Sequence, residues 1–413
     1  MKTIRTSGRI SGALAVAGVV ALVATGCTRG GGDSSASPGI TDTTLSLGIS
    51  TPLSGTTAGP GSCTVAGLDS FLEAQNAKGG FEFGDGKTRK VELTYLDDAY
   101  DPAKAVSNFR QLVNKGIFAY VGALGTPTNA AVQPLANKQK VPQVLIMAGA
   151  NQFSDDKAAN PWTSAFVPTY TTEGEAFGQL LASAGKRITV ATLAQNDDYG
   201  TGYLDGFEAG IEGSQVEVVG SATYEPTDTS VDAQVTKLAS SKADVLLSAV
   251  SVTPLQVGVL TKAQALGWKP RIFLPSNTST PAAILVPGGA EAYPAVYTSS
   301  FAKTPASPAF ANDADVKAYN AAFAKYGAKI AKTYTPHCAW SYSEGAVLGQ
   351  AFEKMKAPTR AAFMTALKSV KGFQAPLLLD GITVDMSSST DAAVSKVTLV
   401  KYTGQGYGPV SGY

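Results

Sequence analysis

The chain has 413 residues, with 33 basic and 32 acidic side chains and a net charge of +1. Removing residues 1–26, which hold Lys2, Arg5, Arg9 and no acid, leaves 30 basic against 32 acidic residues, a balance that attracts no nucleic acid. The remaining length suggests two or three domains with a large core, and one histidine with three cysteines offers no zinc spacing and no second histidine for catalysis.

The first 26 residues form a secretory signal: Lys2, Arg5 and Arg9, an uncharged apolar run over 10–23, then Ala24-Thr25-Gly26 before Cys27. The apolar run is shorter than the roughly 20 residues a membrane-spanning helix needs. A cysteine directly after small residues resembles the lipobox of bacterial lipoproteins, which implies cleavage before Cys27 and acylation of it. The glycine- and serine-rich stretch that follows has almost nothing to bury, so residues 27–44 are expected to be a flexible tether. The protein would then be exported and held on the outer face of the cell membrane through its N-terminal lipid alone.

From Leu45 onward short apolar runs alternate with helical stretches: 45–50 then 65–77, and 91–96 then 102–115. The strand 118–123 stops at Gly125, and Thr126-Pro127 supplies an N-cap hydroxyl and a proline at the first helical position. Ala131, Val132, Leu135 and Ala136 recur at helical spacing until Val141-Pro142 ends the helix, and the strand 143–147 follows. A strand-helix-strand crossover makes its strands parallel, so Thr126 and the Ala148-Gly149-Ala150-Asn151 loop face one side. The N–H groups at Thr126 suit a small anion such as a carboxylate, although a plain helix cap is the commoner use of such a start.

The alternation resumes with strands at 188–194, 216–219, 245–250 and 272–274 and helices at 202–211, 231–239 and 255–266. The expected fold class is α/β, two doubly wound parallel-sheet lobes. The extended run 160–172 is the first crossover and 298–301 the second; helices at 315–326, 341–355 and 359–370 return to the first lobe. Strand-like segments at 377–384 and 394–402 follow, and with a third crossover the lobes are 45–167 plus 301–378 and 168–300 plus 379–413, joined by a three-crossover hinge.

Several features have bland readings. Gly84-Asp85-Gly86-Lys87-Thr88 lacks the first glycine of a phosphate loop and is followed by a strand. Gly200, Gly202 and Gly206 miss the dinucleotide spacing by one residue and read as a tight loop with close packing. His337 beside Cys338 is no nucleophile-base pair, since such partners converge from separate elements. The carboxylate pairs Asp97-Asp98, Asp155-Asp156 and Asp197-Asp198 read as caps and turns. Of the scattered aromatics Trp162, Tyr170, Tyr199, Trp340 and Tyr342, at least two are expected to face a ligand.

TPLSG at 51–55, NAKGG at 76–80, YLDDAYDP at 95–102, DYGTG at 198–202 and LTKAQALG at 260–267 carry a resemblance. The chain resembles the branched-chain amino-acid binding proteins, type I solute-binding proteins that serve ABC importers of leucine, isoleucine, valine and related molecules. The resemblance implies a Venus-flytrap that closes on a small molecule, with an ABC permease and ATPase as partners, no cofactor, no metal, no catalysis, and a monomer. It implies that Thr126, Gly149 and Asn151 hold the ligand's carboxylate and amino groups. Tyr199 then closes over the ligand and Tyr342 lines the first lobe, and Tyr170 and Asn277 complete the expected site. Relatives that take amino acids place an acid on the second lobe, but the matching loop, Pro275-Ser276-Asn277-Thr278, has none. A buried ammonium without a carboxylate is costly, so a carboxylate or amide is favoured over an ordinary amino acid. A sensing receptor of the same fold is the alternative.

The family's own disulfide corresponds to Tyr100 and Gly125 here, so that link is missing. With Cys27 acylated, Cys63 and Cys338 remain as an even pair in an oxidising compartment, each near the start of a helix of the first lobe, and they are expected to be joined. Two separate buried thiols are the alternative.

Overall fold

A computed structural model describes residues 36–155, 157–388, 392–410 and 412. The signal, Cys27 and the first part of the tether lie outside the described residues.

The first lobe opens with β1 (Thr44–Thr51), α1 (Ala58–Asn76), β2 (Phe81–Glu82) and β3 (Thr88–Asp97). It continues with α2 (Pro102–Asn114), β4 (Ala119–Val121), α3 (Thr126–Gln139), β5 (Gln143–Ile146) and β6 (Thr163–Ala165). The second lobe holds α4 (Tyr170–Ala182), β7 (Ile188–Gln195), α5 (Asp198–Ile211), β8 (Val216–Tyr224) and α6 (Asp232–Ala239). After these come β9 (Val245–Ala249), α7 (Thr253–Ala265), β10 (Arg271–Leu274) and β11 (Val296–Ser300). Next, α8 (Ala314–Ala322), α9 (Pro336–Lys354) and α10 (Arg360–Lys368) precede β12 (Thr398–Tyr402) and β13 (Tyr407–Pro409).

Two sheets result, in the orders β2-β3-β1-β4-β5-β6 and β13-β12-β11-β10-β9-β7-β8. Pairing is parallel in both except at the ends, where β2 pairs antiparallel with β3 and β12 with β11 and β13. Helices on both faces cover apolar strands such as VLLSA of β9, buried along its length, which makes both lobes doubly wound. All the parallel strands of a sheet end on one side, so the loops after β1, β4, β7 and β9 gather at one edge of each lobe. α4 and α5 lie against each other through glycine: a Cβ on Gly206 would sit 2.1 Å from the Thr171 carbonyl oxygen, the close packing read from its spacing.

The structure differs from the sequence reading at several places. Residues 36–43 are not a tether: Ile40 is buried in the first core, the Gly39 carbonyl accepts from Ser46 N at 2.7 Å, and Pro358 O accepts from Ser37 N at 2.9 Å. α1 starts seven residues before the expected 65 and α9 five before the expected 341, because Pro60 and Pro336 sit in first turns where a missing N–H costs nothing. The segment 377–384 is irregular with isolated bridges, Ala302 to Leu378 and Phe373 to Val384. Ile382, Val384, Met386 and Val394 bury in the first lobe's core, and Val394 N donates to Phe166 O at 3.0 Å. The last crossing therefore lies after 394 rather than at 379. Among the described residues, no helix is long and apolar enough to cross a membrane.

Candidate functional site

The strand-end loops of the two lobes meet around a cavity of ≈ 30 Å³, about the room one or two water molecules need. The first lobe lines it with Thr57, Leu124, Gly125, Thr126, Met147 and His337, joined by Pro60 and Tyr100. The second lobe contributes Tyr170, Tyr199, Ser251 and Asn277.

Three helices of the first lobe start at this cavity. Thr57 is the N-cap of α1, Gly125 that of α3, and Thr335 that of α9, and none of the three helices has a side chain capping its first N–H groups. Uncapped N-termini carry partial positive charge and outward donors, so their convergence favours a negative group. A disulfide between Cys63 and Cys338 clamps the second turn of α1 to the first turn of α9. His337 is 3 % exposed and burial holds its imidazole down at about 3, so it stands in the wall as a neutral ring. Gly125, at φ +111°, makes the turn from β4 into α3 that a β-carbon would strain.

The second lobe answers with phenols. Tyr170, Tyr199 and Tyr203 form one aromatic cluster, with ring centroids 4.6 Å apart for Tyr170–Tyr199 and 5.0 Å for Tyr170–Tyr203. Thr126 Oγ1 and Tyr170 OH hydrogen-bond across the lobes at 3.0 Å, and Tyr199 OH donates to Asn277 Oδ1 at 3.0 Å. Burial raises all three phenols far above their ordinary range, so they remain protonated. Of the second-lobe helices that start beside the cavity, α4 is capped by Thr169 and α5 by Asp197, while α7, which starts just after Ser251, has no side-chain cap.

An acid does exist on the second lobe, but behind the wall. Glu173 is buried on α4 and accepts from Ser276 N at 3.0 Å, from Ser276 Oγ at 2.9 Å and from the Ser299 hydroxyl. Its carboxylate is consumed in anchoring the 275–278 loop, and burial pushes it above the ordinary carboxylate range despite those bonds. The lining residues include no Asp, Glu, Lys or Arg. Nothing in the wall offers an ammonium a counter-charge. Among the described residues, no cluster of His, Cys, Asp or Glu could hold a metal ion.

Of the residues singled out from sequence, the structure brings Thr126, Tyr170, Tyr199 and Asn277 to this cavity. Gly149 backs it: its carbonyl accepts from Tyr170 N at 2.9 Å, and a Cβ there would lie 2.3 Å from Pro168 O. Asn151 is elsewhere, in a depression of ≈ 170 Å³ with Asp155, Thr169, Ala392 and Ser395, where it accepts from Thr171 Oγ1 at 3.0 Å. Tyr342 is also elsewhere. It is 6 % exposed in the first core, its ring 5.1 Å from Phe71 and 5.2 Å from Tyr319. The early start of α9 explains this, since five residues of helix at about 100° each turn Tyr342 roughly 140° away from His337. Trp162 and Trp340 pack in the first core as well, Trp340 with its ring 4.7 Å from Phe301.

Sequence reasoning missed Thr57, Tyr100, Ser251 and His337. Thr57-Ala58-Gly59-Pro60 does carry a start signal, a hydroxyl with a proline in the first turn, and Pro336 before His337 carries another. Tyr100 was tied to Gly125 only through the disulfide of the resembled family, and its place in the cavity depends on a left-handed turn.

The sequence profile described as "Periplasmic binding protein" matches residues 44–406. Leu/Ile/Val-binding protein homolog 3 of Brucella melitensis biotype 1 is 29% identical over 205 residues, 49% of this chain and 53% of that protein. BraC3, a Leu/Ile/Val-binding protein of Rhizobium johnstonii, is 26% identical over 202 residues with the same coverage, so the chain spans about half the length of these curated relatives. Three solved structures share the fold at low identity. A fatty acid ABC transporter substrate-binding protein from Thermomonospora curvata has a TM-score of 0.74 at 22% identity, covering 90% of this chain and 92% of that one. A branched chain amino acid ABC transporter from Thermus thermophilus with bound valine has a TM-score of 0.76 at 15%, covering 89% and 96%. An R. palustris solute binding protein in complex with benzoate has a TM-score of 0.71 at 18%, covering 88% and 95%. With a profile match over almost its whole length and two doubly wound lobes closed on one cavity, this chain belongs to the periplasmic binding protein family, in its two-lobed type I form.

Proposed function

We propose that the protein is an exported, lipid-anchored receptor of an ABC import system that binds a small carboxylate- or amide-bearing molecule without an ammonium group and delivers it to a permease. The observation that carries this reading is the convergence of three uncapped helix N-termini and Thr126 on a cavity whose lining has no Asp, Glu, Lys or Arg. A ligand carboxylate takes the donors of the first lobe; its apolar body meets Leu124, Met147 and the tyrosines. Among the fold's neighbours are a fatty acid ABC transporter substrate-binding protein, one with benzoate and one with valine, and two of those three ligand classes carry a carboxylate without an ammonium. No step of chemistry is asked of the site. Both walls touch a ligand only when the lobes close, and that differential contact drives the hinge.

Thermal denaturation with benzoate, short aliphatic acids, their amides and leucine tests the reading. A ligand at about 100 times its Kd stabilises by ~2.7 kcal/mol, so acids or amides should raise Tm more than leucine does. A larger shift with leucine defeats the reading, and mass spectrometry of the recovered ligand should show it unchanged.

A further inference from the structure

One residue of the wall is held there by an uncommon backbone. Ala99 and Tyr100 both lie in the left-handed region, at φ +51° and +65°, which residues other than glycine rarely occupy. Two carboxylates fix this turn: Asp97 Oδ1 accepts from Ala99 N at 2.8 Å and Asp98 Oδ1 from Tyr100 N at 2.9 Å. Their effect is to turn the Tyr100 side chain out from the end of β3 into the cleft.

The ring then lies over Gly125. A Cβ on Gly125 would come within 2.7 Å of the Tyr100 ring, so only glycine leaves that space. The hydroxyl reaches the second lobe, where it faces Gln195 and Ser251. Those groups are themselves fixed, since Tyr224 OH donates to Gln195 Oε1 at 2.8 Å and Gln195 Nε2 to Asp197 Oδ2 at 2.6 Å. Tyr100 thus spans the cavity from one lobe to the other, next to the helix start that holds Thr126.

We propose that Tyr100 is a specificity-determining residue that limits ligand length: its ring fills one end of the cavity over Gly125, and its hydroxyl faces Gln195 and Ser251. Beside it the closed cavity keeps only ≈ 30 Å³, so a body behind a carboxylate bound at Thr126 has to be short. Opening the lobes must part the Tyr100 hydroxyl from Gln195 and Ser251, and closure on a ligand brings them together again, so a longer molecule that displaces the ring forfeits that contact.

The inference rests on the carboxylate reading of the cleft, and two arms keep the two separable. In the first, wild type and Tyr100→Gly are titrated calorimetrically with straight-chain acids from propionate to decanoate; glycine accepts the positive φ, so the turn survives. The affinity ratio of decanoate to propionate should rise at least about tenfold in the variant, and an unchanged ratio overturns the proposal. In the second, which needs no ligand, Tyr100→Phe keeps the ring and removes the hydroxyl that faces Gln195 and Ser251. Its small-angle scattering should show a larger radius of gyration than wild type, with faster amide exchange at Gln195 and Ser251. Identical scattering and exchange overturn the proposal. If no acid binds either protein, the carboxylate reading fails and the ligand-free arm still decides the role of Tyr100.

Discussion

The two walls of the cavity use polarity in opposite ways. The first lobe leaves the starts of α1, α3 and α9 without side-chain caps and aims them at the cleft. The second lobe caps α4 with Thr169 and α5 with Asp197, covers them with Tyr170 and Tyr199, and leaves only α7, beside Ser251, without a side-chain cap. One wall is therefore a set of helix starts open to an acceptor, and the other is mostly a capped surface that presents phenols, a hydroxyl and an amide. A ligand that reaches the first wall finds its polar partner there, and the second wall adds contact area and a few hydrogen bonds on closure. Binding energy and closing energy are thus lodged on different lobes.

The comparison breaks most severely if the second wall loses its support. Glu173 accepts from the backbone and hydroxyl of Ser276 and from Ser299, all buried. Glu173→Ala leaves those donors without partners, each costing about 1 to 3 kcal/mol, so a loss of about 5 kcal/mol in denaturant unfolding is expected. Glu173→Gln keeps an acceptor and should lose less than half as much.

The next effect is a pH dependence that sits on the first wall. His337 holds at about 3 in the folded chain against an ordinary 6.5, so it gains its proton on unfolding. Its contribution is whole above pH 6.5 and declines as pH falls toward 3, by up to ~5 kcal/mol in all. Asp98, raised to about 6 by burial, acts in the opposite sense between about 4 and 6 and blurs the wild-type curve. The stability of wild type minus that of His337→Gln removes Asp98 from the account. That difference should fall steadily below pH 6.5; a flat difference would mean that His337 is solvated.

What could be read from sequence followed from what is local. Thr126 was visible because a hydroxyl, a proline and helical periodicity lie within eleven residues of one another, although the cap is Gly125 and Thr126 the first helical residue, and the two-sheet fold because its strands are short apolar runs. Tyr199 and Tyr170 came from resemblance and position. Tyr100 was legible only as the counterpart of Gly125 in the family's disulfide, and not as cavity lining, because its direction is set by two positive φ angles that no propensity assigns to Ala-Tyr. Asn151 was misplaced because a 3-10 turn, Asn151–Phe153, swings its side chain toward Thr171 and away from Thr126. Glu173 was not singled out because a buried acid in a helix looks like an exposed one until the serines that bind it are brought in from 276 and 299.

Thr126→Ala tests the donor wall itself. It removes the hydroxyl that meets Tyr170 and would meet a carboxylate while leaving the helix start intact, because Gly125 and not Thr126 is the N-cap. Affinity for whichever acid gives the largest Tm shift should fall about tenfold, near 1.4 kcal/mol, with a stability change of about 1 kcal/mol. An unchanged affinity would move the carboxylate to the starts of α1 and α9.

The smallest effect is the one that separates wall from core. Tyr342 was expected from the family resemblance to line the first lobe, yet its ring is wedged between Phe71 and Tyr319, both T-shaped contacts, and it does not line the cavity. Such contacts depend on the ring and not on the hydroxyl, because the edge of one ring meets the face of the next. Tyr342→Phe keeps both contacts and almost all of the buried area. Ligand affinity should therefore stay within about twofold, and stability within about 0.5 kcal/mol, measured by calorimetry and denaturant unfolding. Tyr199→Phe, made beside it, removes a hydroxyl that donates to Asn277 inside the cavity and should weaken binding several-fold. If Tyr342→Phe were the more damaging of the two, α9 would have to present Tyr342 to the ligand in the closed state, and the assignment of His337 to the wall would fall with it.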